Sequence, residues 1–426
     1  MSELAGGVKS PNFRKFWAAL GASQLGQRFG FLAIPVVAIE TLNAGSDEVG
    51  YLSASLTVCY LLVGLPAGAW IDRWRKRSTM MRSALIRALA IATVPAMWAL
   101  DLLSLEWLYV VSIIIGIASV FFDVACQSYL PTVVSDDAIE PANARLETTG
   151  QMAAAGGPAV AGLLLRVLSA PLVLVLDALA YAMCVGFLWA SKDGEKARST
   201  DARESSRLAT EIYAGVEFVA KNSILRRLTA SMAVSNFFAT IIMTLLPLLI
   251  LRTLDLGATA MGCVLGLGTL GGLLGSVLLP RVRNRFSAGT VMAGGLLIAA
   301  SFTAVTPLTG GLEGEHAIVL TLLLTLGQFG TMFGAVMFNI TQVSIRQRVC
   351  PKELLARMTA SIRFVVWGSM PLAAITAGWL GGSLGIVGTM WLGVVGTCVT
   401  ALPLLGMDRL IKQSVEETVL EPETTK

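Results

Sequence analysis

The side chains able to do chemistry fall in a few places. Asp72 stands just ahead of Arg73, Arg75, Lys76 and Arg77. A carboxylate among strong cations stays ionised and paired. Arg28 lies in an apolar run, with Gln24 one helical turn before it and Gln27 beside it. An arginine cannot shed its charge near neutral pH. In apolar surroundings it therefore needs an anion, carbonyl oxygens or water. Asp123, Arg87 and Asp177 are further charges within apolar runs. None of these sets belongs to an enzyme. His316 is the sole histidine, and no nucleophile–base pair, metal-ligand set or G-x-x-x-x-G-K-[ST] phosphate loop occurs. Five of the six cysteines (59, 126, 184, 263 and 398) fall in apolar runs and Cys350 in a basic loop, so neither a disulfide nor a metal site is expected. The expected chemistry is charge compensation and ligand binding, without cofactor or metal.

The elements that carry these residues are membrane spans. Of 426 residues 55% are hydrophobic and only 14% charged, with a mean hydropathy of +0.71, whereas soluble domains are about a quarter charged. About 20 apolar residues cross a bilayer as a helix. Twelve such runs are read: 16–40, 49–71, 79–99, 106–130, 145–168, 171–190, 227–251, 259–280, 288–308, 317–342, 359–380 and 385–407. Apart from Arg28, Arg87, Arg166 and Arg252, the 32 Lys and Arg fall on one side if the N-terminus is inside. The positive-inside rule then puts both termini in the cytoplasm. The net charge of +4 is spread over short loops, which argues against nucleic acid as a partner.

The polar stretch around 192–225 divides the chain into a six-helix bundle over 1–191, a cytoplasmic linker over 192–225 and a second bundle over 226–410. A polar tail spans 411–426. A faint repeat supports two halves: Gly64 and Gly68 before the first basic cluster are mirrored by Gly271 and Gly275 before Arg281, Arg283 and Arg285. Parallel halves of this kind form a transporter with its site between them. Span 5 holds Gly157-Pro158 and Gly162, which permit a bend and close helix approach. Ordinary tight packing is the competing reading for these glycines.

The stretch Gly68–Arg77 resembles the loop motif G-x-x-x-D-R-x-G-R-K of the major facilitator superfamily. Gly68, Asp72, Arg73 and Lys76 match in type, and Arg75 takes the place of the second glycine. Span 5 resembles the antiporter motif g-x-x-x-G-P-x-x-G-G through Gly157, Pro158 and Gly162, with Ala153 and Ala161 in place of glycines. Phe121-Phe-Asp123, Leu130-Pro131, Leu176-Asp177-Ala and Asn339-Ile-Thr-Gln-Val-Ser-Ile-Arg346 are similar to the group of drug–proton antiporters that includes macrolide and enterobactin exporters. The resemblance implies an all-α membrane protein of twelve helices in two six-helix bundles. It implies a gating charge relay of Gly68, Asp72, Arg73, Lys76, Arg77 and Asp123, with Lys76 or Arg77 as the partner of Asp123. Arg87 and Asp177 become matched charges on outer helices, where a structural ion pair is favoured over a proton site. Spans 1, 4, 7 and 10 would line the cavity, giving Gln24, Gln27, Arg28, Asn236, Gln328 and Asn339 as substrate candidates, with interhelical polar contacts as the competing role. The group usually has an acid where this chain has Gln27.

The expected activity is export of a hydrophobic or amphipathic small molecule, a drug, siderophore or secondary metabolite. Proton influx would drive it by alternating access. The expected setting is the bacterial cytoplasmic membrane, as a monomer whose partners are lipid, substrate and protons. Import or facilitated passage of an organic solute is the nearer rival, and a non-transporting membrane sensor the farther one.

Overall fold

The computed structural model describes residues 7–64, 67, 70, 71, 74–135, 138–191, 217–312, 314–350, 354–404 and 406–410. Gly68, Asp72 and Arg73 of the loop motif, most of the expected linker and all of the expected tail lie outside them. The described elements are helical, with no strand among them. The first half contributes α1 (Pro11–Val36), α2 (Ser46–Leu62), α3 (Lys76–Ala99), α4 (Leu105–Val133), α5 (Ile139–Leu164) and α6 (Ala170–Ala190). The second contributes α7 (Ser223–Leu248), α8 (Gly257–Gly268), α9 (Leu270–Arg283), α10 (Ala288–Thr303), α11 (Val305–Thr309), α12 (Ala317–Val349), α13 (Leu355–Ser383) and α14 (Ile386–Val399). The runs read as spans 8 and 9 are thus each two helices in succession.

Local chemistry sets the helix ends. Ser10 caps α1, its Oγ accepting from the Phe13 amide at 3.2 Å, with Pro11 in the first helical position. Ser104 does the same for α4 through the Trp107 amide at 3.3 Å. Three of the short loops on the acid-bearing side turn through left-handed residues: Asn43 (φ 56), Asp101 (φ 56) and Asp255 (φ 49). Asn and Asp tolerate that conformation better than other side chains with a Cβ.

Nine helical stretches among the described residues are long and apolar enough to cross a membrane. The other three expected spans are α1, α2 and α5. Each is helical but carries either charge (Arg14, Lys15 and Arg28 in α1; Glu140, Arg145 and Glu147 in α5) or fewer described residues (α2, 17 residues). Large apolar side chains stand exposed along α3 and α6, among them Leu89 at 61% and Met183 at 55%. That is the surface expected of helices whose solvent is lipid.

The chain packs as two compact units, residues 1–202 with 244–266 and residues 203–243 with 267–426. In unit 1, α1 lies along α6 and α5, α2 along α4, and α3 against α4 and α6. Unit 2 repeats part of this plan, with α9 along α12 and α10 against α12 and α14. Glycines set the spacing in both. A Cβ added at Gly116 of α4 would lie 2.8 Å from the Leu56 carbonyl oxygen of α2. One added at Gly275 of α9 would lie 2.8 Å from the Phe333 oxygen of α12. Gly271 and Gly275, the second half's repeat pair, thus form one side of a helix crossing. Residues 244–266, which the sequence reading gave to the second bundle, pack with unit 1 through the small-residue face of α8.

Candidate functional site

In unit 1 a polar seam runs between α1 and α5. Gln24 and Arg28 are four residues apart, so both project to one face of α1. That face meets glycines of α5. A Cβ at Gly150 would lie 3.4 Å from the Gln24 amide, and one at Gly157 would lie 2.6 Å from Arg28 Cβ and 2.8 Å from Arg28 Cγ. Only glycine at 157 leaves room for the arginine stem at this height. The seam is pinned nearer its start by Trp17, whose Nε1 donates to Thr149 Oγ1 at 2.7 Å.

Among the described residues Arg28 has no hydrogen-bond or ion-pair partner, and its Nε is buried without one, as is Gln24 Oε1. A guanidinium so placed keeps its charge and lacks an acceptor. Gln27, one residue away, is exposed and turned off this seam. The structure therefore joins Gln24 and Arg28 with Gly150 and Gly157, and leaves Gln27 apart.

The span-5 glycines divide their work. Gly157 faces Arg28, whereas Gly162 faces α8. A Cβ at Gly162 would lie 2.9 Å from Gly262 Cα and 3.0 Å from the Ala258 oxygen, and Thr259 Oγ1 donates to the Gly162 carbonyl at 2.9 Å. The Pro158 oxygen abuts Gly262, and Gly266 abuts Ala155. This is a small-residue crossing closed by a hydroxyl–carbonyl hydrogen bond. The repetition of small residues on α8, Ala258, Gly262 and Gly266, was the sequence signal for it.

Among the described residues the partner of Asp123 is a tyrosine in place of the expected Lys76 or Arg77. Asp123 Oδ2 accepts from the Tyr60 hydroxyl of α2 at 3.1 Å. Arg77 is held elsewhere: its Nε donates to the Leu188 oxygen at 2.8 Å and its Nη2 to the Trp189 oxygen at 2.7 Å. Lys15 Nζ donates to the Ala190 oxygen at 2.6 Å. The last carbonyls of a helix have no partner within it and carry the negative end of its dipole, so two cations gather there. Lys76 opens α3. Beside Asp123, Phe121 stacks between Trp70 and Trp74, with ring centroids 6.0 and 5.7 Å apart. Trp74 and Phe121 border a groove of about 410 Å³ between α3 and α4, walled by Ile86, Ile114 and Ile117.

Arg87 and Asp177 are both buried, at 3% and 1% exposure, on helices that pack together. Their charged atoms do not close to the expected ion pair; among the described residues the pair within 4.0 Å is Lys221–Glu217. Arg87 instead donates from Nη2 to the Tyr181 hydroxyl and lies 4.0 Å over the Tyr181 ring. Asp177 is pressed against α1, where a Cβ at Gly26 would lie 2.8 Å from its Oδ1 and one at Gly30 would strike Oδ2. The Arg87 charge acts on both Asp123 and Asp177. Tyr60 and Tyr181 were missed in the sequence, where a tyrosine in an apolar run looks like packing.

In unit 2, Asn236 Nδ2 donates to the Val366 oxygen at 2.9 Å and so ties α7 to α13. The Gln328 stem lies against Gly268, and Asn339 is exposed.

The model of the Major Facilitator Superfamily matches residues 16–374. No curated protein sequence matches the chain. Among solved structures, a mutant form of the nucleoside transporter NupG is similar in fold, with a TM-score of 0.76 at 14% identity, over 92% of this chain and 99% of that one. A bacterial homologue of the iron transporter ferroportin, inward-facing, gives 0.71 at 15% identity over 93% and 98%. A POT family transporter in complex with a thioalcohol-conjugated peptide gives 0.71 at 14% over 93% and 96%. At these identities the likeness is one of fold. Together with its apolar helices, the match over most of its length makes the chain a multi-pass membrane protein belonging to the Major Facilitator Superfamily.

Proposed function

We propose that the protein exports an amphipathic small molecule across the bacterial cytoplasmic membrane, with both termini inside, as a monomer. The observation that carries this is Arg28, a permanent cation with no counter-ion among the described residues, seated with Gln24 on the glycine face of the antiporter-like helix. Cargo with an anionic or strongly hydrogen-bond-accepting group would supply the missing acceptor, and its apolar body would suit the neighbouring wall. Movement of α1 against α5 would pass through the Arg28–Gly157 contact, so cargo binding and the change of access share one seam. Proton influx is the proposed driving force.

A second reading has its own support. Position 27, which is acidic in the exporters that this chain resembles, is glutamine here and turned off the seam. On that reading the protein is a facilitator that moves an organic solute down its gradient. Purified protein in liposomes separates the two. Export by antiport requires uptake of labelled cargo into inside-out vesicles that rises with an inwardly acidic gradient and collapses with a protonophore. Flux that ignores the proton gradient would select the facilitator.

A further inference from the structure

Unit 2 contains a second cation without a counter-ion among the described residues, seven residues beyond Asn339 on α12. Arg346 is 9% exposed, and Gln342, one turn before it, is 3% exposed. Arg346 Nη1 rests 3.8 Å from the thioether sulfur of Met232 on α7. Thioether sulfur is a weak acceptor, a poor exchange for the water or carboxylate that a guanidinium ordinarily keeps. Arg346 Nε and Gln342 Oε1 are buried without a hydrogen-bond partner. Arg363 follows Ile362, which packs with Val366 in the same cluster as Met232 and Val349, so α13 runs beside the Arg346 seat; the Arg363 guanidinium lies 5.4 Å over the Trp367 ring. Arg363 is exposed, so the pair has one buried member and one at the mouth. Among the described residues neither arginine has a carboxylate partner within 4.0 Å.

Two like charges held together with unfilled donors are costly in low dielectric unless an anion joins them. Neither can give up its proton. Guanidinium donors are arranged as a planar fork that matches an oxyanion with two or more oxygens. Both arginines sit at the end of their helices nearest the basic loop, where a lipid phosphate or an aqueous anion can reach them. We propose that Arg346 and Arg363 together bind a phosphate group, with Arg346 as the buried anchor and Arg363 as the exposed second donor. The group could arrive as the headgroup of an anionic phospholipid or as a free phosphate, and the chemistry of capture is the same.

The test uses the full chain purified into phosphatidylcholine nanodiscs. Thermal unfolding is followed at constant ionic strength with chloride, with inorganic phosphate, and with phosphatidylglycerol added to the discs. A rise in the midpoint with phosphate over chloride identifies a free-phosphate site. A rise with phosphatidylglycerol alone identifies a lipid headgroup. Either supports the proposal if Arg346→Met, which keeps an apolar stem and drops the charge, abolishes the rise. Arg363→Gln is expected to weaken it about tenfold. Should Arg346→Met fail to fold, the Arg363→Gln titration decides alone. Equal midpoints in all three conditions, or an undiminished response in the variants, overturn the proposal.

Discussion

Replacing Gly162 with alanine tests the α5–α8 crossing directly. The added methyl would stand 2.9 Å from Gly262 Cα and 3.0 Å from the Ala258 oxygen, both backbone atoms that cannot rotate away. Ordinary carbon contact is about 3.5–4.0 Å, so the helices must part by roughly 0.6–1 Å. Overpacking of this kind costs about 1–3 kcal/mol. The Thr259–Gly162 hydrogen bond, 2.9 Å long, would stretch with the crossing, adding about 0.6 kcal/mol. A total near 2–3 kcal/mol shifts the closed contact by roughly 30- to 150-fold. Cys263 sits on α8 beside Gly262 and is partly buried, so it reports the opening. In a background lacking the other cysteines, Gly162→Ala should raise the maleimide rate at Cys263 and slow transport. Gly156→Ala is the matched control, because a Cβ there meets nothing within 4 Å. If both substitutions leave alkylation and transport at the parent level, the crossing is not tight in the membrane and the reasoning is wrong.

Other outcomes follow from the same geometry. Arg28→Gln should weaken binding of an anionic cargo by about 1.5–3 kcal/mol, and Arg28→Lys should recover only part of it because the fork is lost; equal affinities by equilibrium binding in nanodiscs would remove Arg28 from the site. Arg77→Gln should destabilise the end of α6 by about 1 kcal/mol in chemical denaturation while the protein still inserts, since it releases the Leu188 and Trp189 carbonyls. Tyr60→Phe and Asp123→Asn should impair transport alike, because each breaks the same hydrogen bond; transport at the wild-type rate in both would exclude that contact from the cycle. Labelling of intact cells should reach Ser46→Cys and Gly314→Cys but not Arg75→Cys, and labelling at 75 would reverse the assigned orientation.

Much of the fold was legible because hydrophobic run length, basic loops and paired glycines act locally. A bilayer demands about 20 apolar residues in sequence, so spans are written in one dimension. The Gln24–Arg28 pair was legible too, since four-residue spacing fixes a common face. What that face touches was not. Arg77 and Asp123 have complementary charges, yet the carbonyls at the end of α6 are stronger competitors for Arg77, and that helix end is over a hundred residues away. Arg87 and Asp177 read as a pair by charge alone, but a tyrosine one turn after Asp177 intercepts the guanidinium. Gln342 and Arg346 carry no mark of burial in the sequence, because charge near a helix end is common, and only the packed structure distinguishes them.

The two neighbouring positions Gly156 and Gly157 show how sequence motif and mechanism connect in this chain. Open space lies over one and the stem of Arg28 over the other. A motif read as generic helix flexibility thus resolves into two contacts with separate consequences, Gly157 setting the seat of a cation and Gly162 setting the approach of α8. Because both lie on α5 within five residues, a tilt of that helix cannot change one contact without changing the other. Closing or opening the α8 crossing therefore alters the room around Arg28, and a ligand that orders Arg28 must in turn bias the crossing, as reciprocity of coupled equilibria requires. The coupling predicts that Gly162→Ala changes cargo affinity although residue 162 does not touch Arg28. Unchanged affinity in that variant, measured where Cys263 alkylation has risen, would show that α5 bends between the two glycines at Pro158 and that the contacts are independent.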